Sequence, residues 1–225
     1  MGFALLVVAA AAALSLWAQG AVSRQLRRWR QVPARSGLSG AEVARALLAA
    51  EGLAGQVQVE RLEGSGRDHY DPRARALRLS PEVHDGRDLA ASGVAAHEAG
   101  HALQQALGHQ GLRLRSLAVP VAMLGNAVGL PLLVLGLALR NLPLAAIGLV
   151  LYAGVVLLQV LSLPVEIDAS RRALVGLSQA RLLETREEAD GVREVLNSAA
   201  LTYVAAALSG IGLLLWGALL LGRRN

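Results

Sequence analysis

Long stretches without a charged side chain are the feature that most limits how this 225-residue chain can fold. Four such runs are present, at residues 3–22, 117–139, 142–163 and 199–221. An α-helix needs about 20 apolar residues to cross the roughly 30 Å hydrocarbon core of a bilayer, and each run is long enough. The sequence therefore predicts a mainly α membrane protein with four transmembrane helices.

The second and third runs are separated only by Arg140 and Asn141, so residues 117–164 are expected to form a transmembrane hairpin. Its first arm contains three residues that disturb a regular, lipid-facing helix: Pro120, Asn126 and Pro131. Such residues are tolerated where neighbouring helices satisfy the freed backbone groups. We therefore expect a kinked first arm that packs against other helices.

The segments between the runs complete the predicted domain organisation. The expected order is a transmembrane helix at 1–22, a water-soluble domain at 23–116, the hairpin at 117–164, a charged helical segment at 165–198, and a transmembrane helix with a tail at 199–225. A cleaved signal peptide is the alternative for the first run. An uncleaved anchor fits better, because the basic residues follow the apolar run instead of preceding it.

The composition agrees with a membrane protein and excludes several kinds of site. Hydrophobic residues make up 54% of the chain, and the mean hydropathy is +0.44. The absence of cysteine rules out disulfides, thiol nucleophiles and cysteine-based zinc modules. Arginines crowd directly behind the first run, at Arg24, Arg27, Arg28, Arg30 and Arg35. The positive-inside rule puts this stretch in the cytoplasm, which explains the net charge better than a nucleic-acid partner does.

Residues 23–116 predict a small α+β domain with a short β-sheet. The expected elements are a helix at 40–51 begun by the capping box of Ser39 and Glu42, strands at 57–62 and 76–79, a loop at 64–75, and a helix at 89–107. The loop is predicted from its glycines and from the Asp71-Pro72 turn signal.

The last of these helices carries the sequence VAAHEAGHAL, which contains an HExxH motif. His97 and His101 are one turn apart, so both imidazoles leave the same helix face and can bind one metal ion. Glu98 is placed to take a proton from a water molecule at that ion, as the general base does in zinc-dependent hydrolysis. The uncharged neighbours of the motif favour a helix that can be buried.

A catalytic zinc ion needs a third protein ligand, and its position distinguishes the classes of HExxH protein. The metzincin pattern requires glycine and histidine where this chain has Gln104 and Leu107, so that pattern does not match. Glu166 in the segment EIDAS suits the other common arrangement, a glutamate on a later helix. Two predicted membrane crossings return it to the same side as the histidines. The alternative is that Glu166 and Asp168 form ion pairs with the two arginines that follow them.

Five segments, in this order, carry a family resemblance: SGLSGAEVARALL, DHYDPRARALRLS, VAAHEAGHALQ, LPVEIDASRRAL and VLNSAALTYVAAAL. With them the chain resembles the YugP-like neutral zinc metallopeptidases, which are small bacterial multi-pass membrane proteins. The resemblance implies a zincin-like cytosolic domain and one Zn²⁺ per chain bound by His97 and His101, with Glu98 as the catalytic residue. By analogy with HtpX-like relatives it implies Glu166 as the third ligand. It also implies a location in the bacterial cell membrane.

One position departs from the broader Glu-type pattern. Where that pattern has an aspartate that orients a ligating histidine, this chain has Ser170. Either Asp168 or Ser170 is then a candidate to orient a histidine of the motif.

The expected function is that of a membrane-embedded zinc-dependent endopeptidase, which hydrolyses peptide bonds of membrane-associated proteins through a zinc-activated water. The strand at 76–79 is a candidate to pair with an extended substrate. Candidates to stabilise the oxyanion are His69, Tyr70 and Arg171.

The expected partners are a peptide or membrane-protein substrate and the lipid bilayer, and association with a second copy or another membrane protein is left open.

Two alternatives to this function come from other classes of protein. One is an intramembrane site-2-type protease, in which the HExxH helix itself crosses the membrane. The other is a non-catalytic zinc-binding membrane scaffold, in which a general base next to the metal has no use.

The location of Glu166 predicts where the chemistry takes place. Glu166 lies three residues beyond Leu163, where the third apolar run ends. At about 1.5 Å per helical residue, that is a few ångströms past the run. We therefore expect the active site on the cytoplasmic side of the membrane, close to the headgroups.

Overall fold

Helices make up most of the chain, as the sequence predicts. The computed structural model describes residues 2–63 and 67–222. Its elements are α1 (Gly2–Trp29), α2 (Gly40–Ala50), β1 (Gln58–Arg61), β2 (His69–Asp71), β3 (Ala76–Leu79), α3 (Pro81–His84), α4 (Leu89–Ala106), α5 (Gln110–Leu124), α6 (Leu130–Ala138), α7 (Leu142–Gln179) and α8 (Arg186–Gly222). A π-helical turn, Gly125–Gly129, joins α5 to α6.

Three helical stretches within the described residues are long and apolar enough to cross a membrane. They are Gln110–Ala138, which combines α5, the π-helical turn and α6, followed by α7 and α8. These stretches cover the last three of the four predicted runs, except for Leu139 at the end of the second run. α1 is a 28-residue helix that contains the first run, and its use as a fourth crossing stays a prediction.

The chain divides into two compact units. The apolar unit consists of the described parts of Met1–Gln19, Gln110–Pro164 and Leu201–Asn225. The polar unit consists of the described parts of Gly20–His109 and of Val165–Ala200, so it contains the sheet and helices α2 to α4.

In the apolar unit, the first arm of the hairpin is not a continuous α-helix. The π-helical turn ends directly before α6, which has Pro131 in its first turn. A proline inside an α-helix collides with the carbonyl four residues earlier, and the wider π-helical turn relieves that collision. The two arms approach closely at Gly148, where a Cβ would meet the backbone nitrogen of Leu133. Small residues commonly permit such packing between transmembrane helices.

The polar unit is built around α4, which is buried along most of its length. Large apolar side chains from α2, β3, α7 and α8 share its hydrophobic core, among them Leu47, Leu48, Leu77, Leu79, Leu177 and Val192. Burial of each such side chain contributes roughly 1.5–3 kcal/mol. α4 itself is rich in alanine, so neighbouring elements can pack close to its backbone. The start of α4 is capped by Asp88, whose Oδ1 accepts the N–H of Ala91 at 2.8 Å.

α2 begins with the predicted capping box. The N–H of Glu42 donates to Ser39 Oγ at 3.3 Å, and the N–H of Ser39 donates to Glu42 Oε2 at 2.7 Å. These bonds satisfy donors that the first turn of a helix leaves unpaired. A similar arrangement, not anticipated from the sequence, starts α8. There the N–H of Glu188 donates to Thr185 Oγ1, and the Glu188 carboxylate accepts the N–H of Thr185, both at 3.2 Å.

In the described part of the chain the sheet has three strands in the order β1-β3-β2, with β1 parallel and β2 antiparallel to β3. β1 and β3 lie where strands were predicted, but β2 falls inside the predicted loop, which is a correction. β2 is only three residues long, too short for alternation to reveal it, and it ends at Asp71, whose carboxylate caps the following turn by accepting the N–H of Arg73 at 2.9 Å. Because β3 is the central strand, its predicted pairing with a substrate is also wrong.

Candidate metal centre

The two histidines of the HExxH motif lie one turn apart in the middle of α4. Both side chains are buried, with 9% of His97 and 7% of His101 exposed. Their rings meet edge to face, with 4.7 Å between the ring centroids. An unpaired imidazole is costly to bury, so each ring nitrogen needs a partner.

α7 brings the carboxylate of Glu166 to the two histidines. Glu166 Oε2 lies 3.0 Å from His97 Nε2 and 3.6 Å from His101 Nε2. All three residues are buried, and the three candidate ligand atoms lie within 4.8 Å of one another. The structure thus brings together the three residues that the sequence predicts as metal ligands.

The chemistry of these donors fits a zinc ion. Two imidazole nitrogens and one carboxylate oxygen are a common ligand set of catalytic zinc sites. Ligand atoms held about 2.0–2.1 Å from one ion in tetrahedral geometry are roughly 3.4 Å apart, close to the spacing of Glu166 Oε2 from each histidine. Three protein ligands leave the fourth coordination position for a water molecule or a substrate.

The electrostatic environment of the histidines also favours a cation. Burial alone would lower the pKa of His101, but the hydrogen bond to Glu166 and the negative charges of Glu98 and Glu166 raise the pKa above its ordinary value. The carboxylates that favour a proton on His101 equally favour a metal ion at the same place.

The remaining ring nitrogen of each histidine contacts a neutral polar side chain. Ser170 Oγ lies 3.2 Å from His97 Nδ1. Ser170, which replaces the aspartate of the broader Glu-type pattern, therefore does contact a motif histidine. Gln104 Oε1 lies 3.0 Å from His101 Nδ1. Sequence reasoning missed Gln104 as part of the site, although its place one turn after His101 was the available signal.

Asp168 is connected to the motif histidine His101 through Gln104. Asp168 Oδ2 accepts Gln104 Nε2 at 2.8 Å and Arg172 Nε at 2.6 Å. The alternative interpretation from the sequence, ion pairing along the helix, is therefore correct for Asp168 and Arg172. Glu166 instead faces the two histidines.

The predicted general base, Glu98, is buried next to His97 in α4. Its Oε2 accepts the backbone N–H of Tyr70, in β2, at 2.9 Å. The strand that the sequence did not predict therefore contacts the motif helix at the residue expected to move the proton.

The candidate oxyanion-stabilising residues lie in different surroundings. His69 is exposed, and its Nδ1 lies 2.8 Å from the carbonyl oxygen of Arg67. The Tyr70 side chain packs against the hydrophobic core. Arg171 is exposed and lines a cavity of about 650 Å³ between α2, α4 and α7. An oxyanion role for any of them stays a prediction.

The buried His–His–Glu cluster could hold a metal ion, and three described helical stretches are long and apolar enough to cross a membrane. Together with the HExxH helix, these features are typical of membrane metalloproteins. The family model described as "Putative neutral zinc metallopeptidase" matches residues 4–221. The chain is also 44% identical over 200 residues to the "Putative membrane protease YugP" of Bacillus subtilis (strain 168), with 88% of each chain covered. The chain therefore belongs to this zinc metallopeptidase family, which confirms the resemblance seen in the sequence. No solved structure matches the chain at a significant level.

Proposed function

We propose that the protein is a membrane-embedded zinc-dependent endopeptidase that hydrolyses peptide bonds of membrane-associated proteins. The observation that carries this proposal is the convergence of His97, His101 and Glu166 on one buried point, with the Glu98 carboxylate on the same helix. Membership of the zinc metallopeptidase family supports the same activity.

His97, His101 and Glu166 are the proposed ligands of one zinc ion per chain. When bound, the ion supplies a Lewis acid that polarises the substrate carbonyl and lowers the pKa of a water molecule toward about 7. The burial of the three side chains keeps bulk water away from the charges of the site, which strengthens their electrostatic interactions.

Glu98 is the proposed proton carrier. Its carboxylate accepts a proton from the attacking water and then delivers it to the nitrogen of the departing amine. The hydrogen bond from the Tyr70 N–H holds one carboxylate oxygen in place, so the Glu98 side chain is already oriented before the proton transfer.

The edge of β2 that faces away from β3 is the proposed place for an extended segment of substrate. Because the Tyr70 N–H donates to Glu98, the peptide groups of Tyr70 face the side of β2 away from β3. No other described strand pairs with that edge. Strand addition there would lay a substrate backbone alongside the carboxylate of Glu98, and only an unfolded or extended segment could pair in this way.

We place the site at the cytoplasmic surface of a bacterial cell membrane. Glu166 follows the third apolar run by three residues, and the arginines that follow the first run favour the cytoplasmic side. In this proposal α1 is the fourth membrane crossing. The substrates are then membrane proteins or membrane-bound chains, which reach the headgroup region more readily than folded soluble proteins do.

The two alternative functions have less support. In a site-2-type protease the motif helix crosses the membrane, whereas α4 packs inside the polar unit with most of its residues buried. A zinc scaffold does not need a buried carboxylate beside its ligands, and burying Glu98 without a role would be costly.

Metal content measured together with cleavage tests this proposal. The full-length protein in detergent or lipid nanodiscs is expected to hold about one zinc ion and to cleave an unfolded membrane-protein substrate. A chelator should remove both properties, and added zinc should restore them. Zinc without cleavage under these conditions would support the scaffold, and cleavage that survives complete removal of the metal would refute a zinc mechanism.

A further inference from the structure

Gln104 is the least exposed polar residue of the site, with a relative exposure of 0%. Its side-chain amide has three partners. Nε2 donates to the carbonyl oxygen of Val165 and to Asp168 Oδ2, each at 2.8 Å, and Oε1 lies 3.0 Å from His101 Nδ1. A buried amide with this many contacts links α4 to α7 at the cluster.

The partners of Gln104 permit only one orientation of its amide. A carbonyl oxygen and a carboxylate oxygen can only accept, so both face the NH₂ group of Gln104. The reverse orientation would bring three oxygens together in a buried place. Asp168 stays a good acceptor because Arg172 Nε donates to its Oδ2 at 2.6 Å. The oxygen of Gln104 must therefore face His101.

The orientation of the amide determines which nitrogen of His101 carries the proton. Since Gln104 Oε1 can only accept, His101 Nδ1 must donate and bear the hydrogen. The lone pair of neutral His101 is then on Nε2, the atom that faces Glu166. His97 differs, because the hydroxyl of its partner Ser170 can either donate or accept and selects no tautomer.

Gln104 also connects the histidine helix to the segment that holds the third candidate ligand. Its two acceptors, Val165 and Asp168, lie on either side of Glu166 in α7. A single side chain thus contacts one proposed ligand directly and holds the backbone that carries another.

We propose that Gln104 is a positioning residue of the metal centre. Gln104 selects the Nδ1–H tautomer of His101 and fixes the position of Glu166 relative to the two histidines. This inference rests on the proposed function, because it assumes that these residues bind zinc. Residues that orient metal ligands commonly change metal affinity by 10- to 100-fold when they are replaced.

The test compares Gln104→Met with Gln105→Met in the full-length protein. Methionine keeps the length and flexibility of glutamine, but it has no N–H group to donate to Asp168 and only a weakly accepting sulfur to face His101. The neighbouring Gln105 donates to the carbonyl of Pro72 and has no described bond to the cluster, so it is a matched control. Zinc affinity is measured by competition with a chromophoric chelator, and the visible spectrum of bound Co²⁺ reports the ligand geometry.

Gln104→Met is expected to weaken zinc binding by roughly 10- to 100-fold and to change the Co²⁺ spectrum, whereas Gln105→Met leaves both unchanged. Wild-type affinity and spectrum in Gln104→Met would overturn the inference. Such a result would leave the proposed function intact, whereas a wild-type protein without zinc would overturn the proposed function itself.

A second measurement needs no variant and so does not depend on how Gln104→Met folds. Nitrogen-15 NMR of the imidazoles in the zinc-loaded wild-type protein reports which ring nitrogen of His101 carries hydrogen. The inference requires a proton on Nδ1 and none on Nε2. A proton on Nε2 would overturn it.

Discussion

Gly100 lies directly against the main-chain carbonyl of Ala169, so closely that a Cβ on Gly100 would stand 2.5 Å from the oxygen of Ala169. Gly100 precedes His101 in α4, and Ala169 follows Glu166 by three residues in α7. The absence of a side chain at Gly100 therefore sets how near the histidines and the third candidate ligand can come.

A methyl group at Gly100 is expected to push α7 away from α4. Gly100→Ala should lower the free energy of unfolding by about 1–3 kcal/mol, a typical cost of overpacking, and should weaken zinc binding because Glu166 moves with α7. Thermal unfolding and zinc competition measure the two effects.

Gly93→Ala is the matched control for this prediction, because it makes the same change earlier in the same helix. A Cβ there would meet Val195 Cγ1 at 3.4 Å, which is ordinary contact. This variant should be neutral or more stable by up to about 1 kcal/mol, owing to the higher helix propensity of alanine. Equal effects of the two variants would contradict the close-approach argument.

Removal of Glu166 is expected to affect metal binding more than removal of Asp168. Glu166→Ala takes away one of three proposed ligands, so zinc should be lost at concentrations that saturate the wild type. Asp168→Ala removes one acceptor of Gln104 and should weaken zinc binding only modestly. Zinc content after gel filtration distinguishes the two variants. If Glu166→Ala kept its zinc while Asp168→Ala lost it, the third ligand would have been assigned to the wrong residue.

The cytoplasmic location of the site can be tested by labelling, because the chain has no cysteine of its own. Arg73 lies on an exposed turn of the polar unit, and Asn141 lies on the exposed loop of the hairpin. Each is replaced by cysteine in a separate variant, Arg73→Cys or Asn141→Cys. In intact bacterial cells, a membrane-impermeant maleimide should label Asn141→Cys alone, and Arg73→Cys should react only after the membrane is opened. The reverse pattern would place the site outside the cell.

Much of the fold follows from strong local signals in the sequence. The charge-free runs predict the apolar stretches of the long helices, and Ser39 with Glu42 predicts the start of α2. The HExxH spacing and the segment around Glu166 were enough to select three residues that the structure brings together. Each of these features is local or repeats with a regular period, which is what a single sequence displays.

The features that sequence analysis missed depend on contacts between distant segments. β2 is a strand because β3 and α4 lie beside it, and three residues next to a proline turn carry too little periodicity to show this. Strand order is likewise invisible in the sequence, so β3 was wrongly expected to meet the substrate. The spacing of Gln104 from His101 is visible in the sequence, but its hydrogen bonds to Val165 and Asp168 in α7 are not.

Replacement of the proposed general base tests the central claim most directly. In Glu98→Gln the amide oxygen can still accept the Tyr70 N–H, so the local geometry should persist, but the side chain can no longer take up a proton. Cleavage of an unfolded membrane-protein substrate should fall by roughly 10²- to 10⁴-fold. Zinc content and unfolding temperature should match those of the wild type and of the exposed control Glu82→Gln. Retention of most of the activity in Glu98→Gln, with zinc bound, would contradict the account.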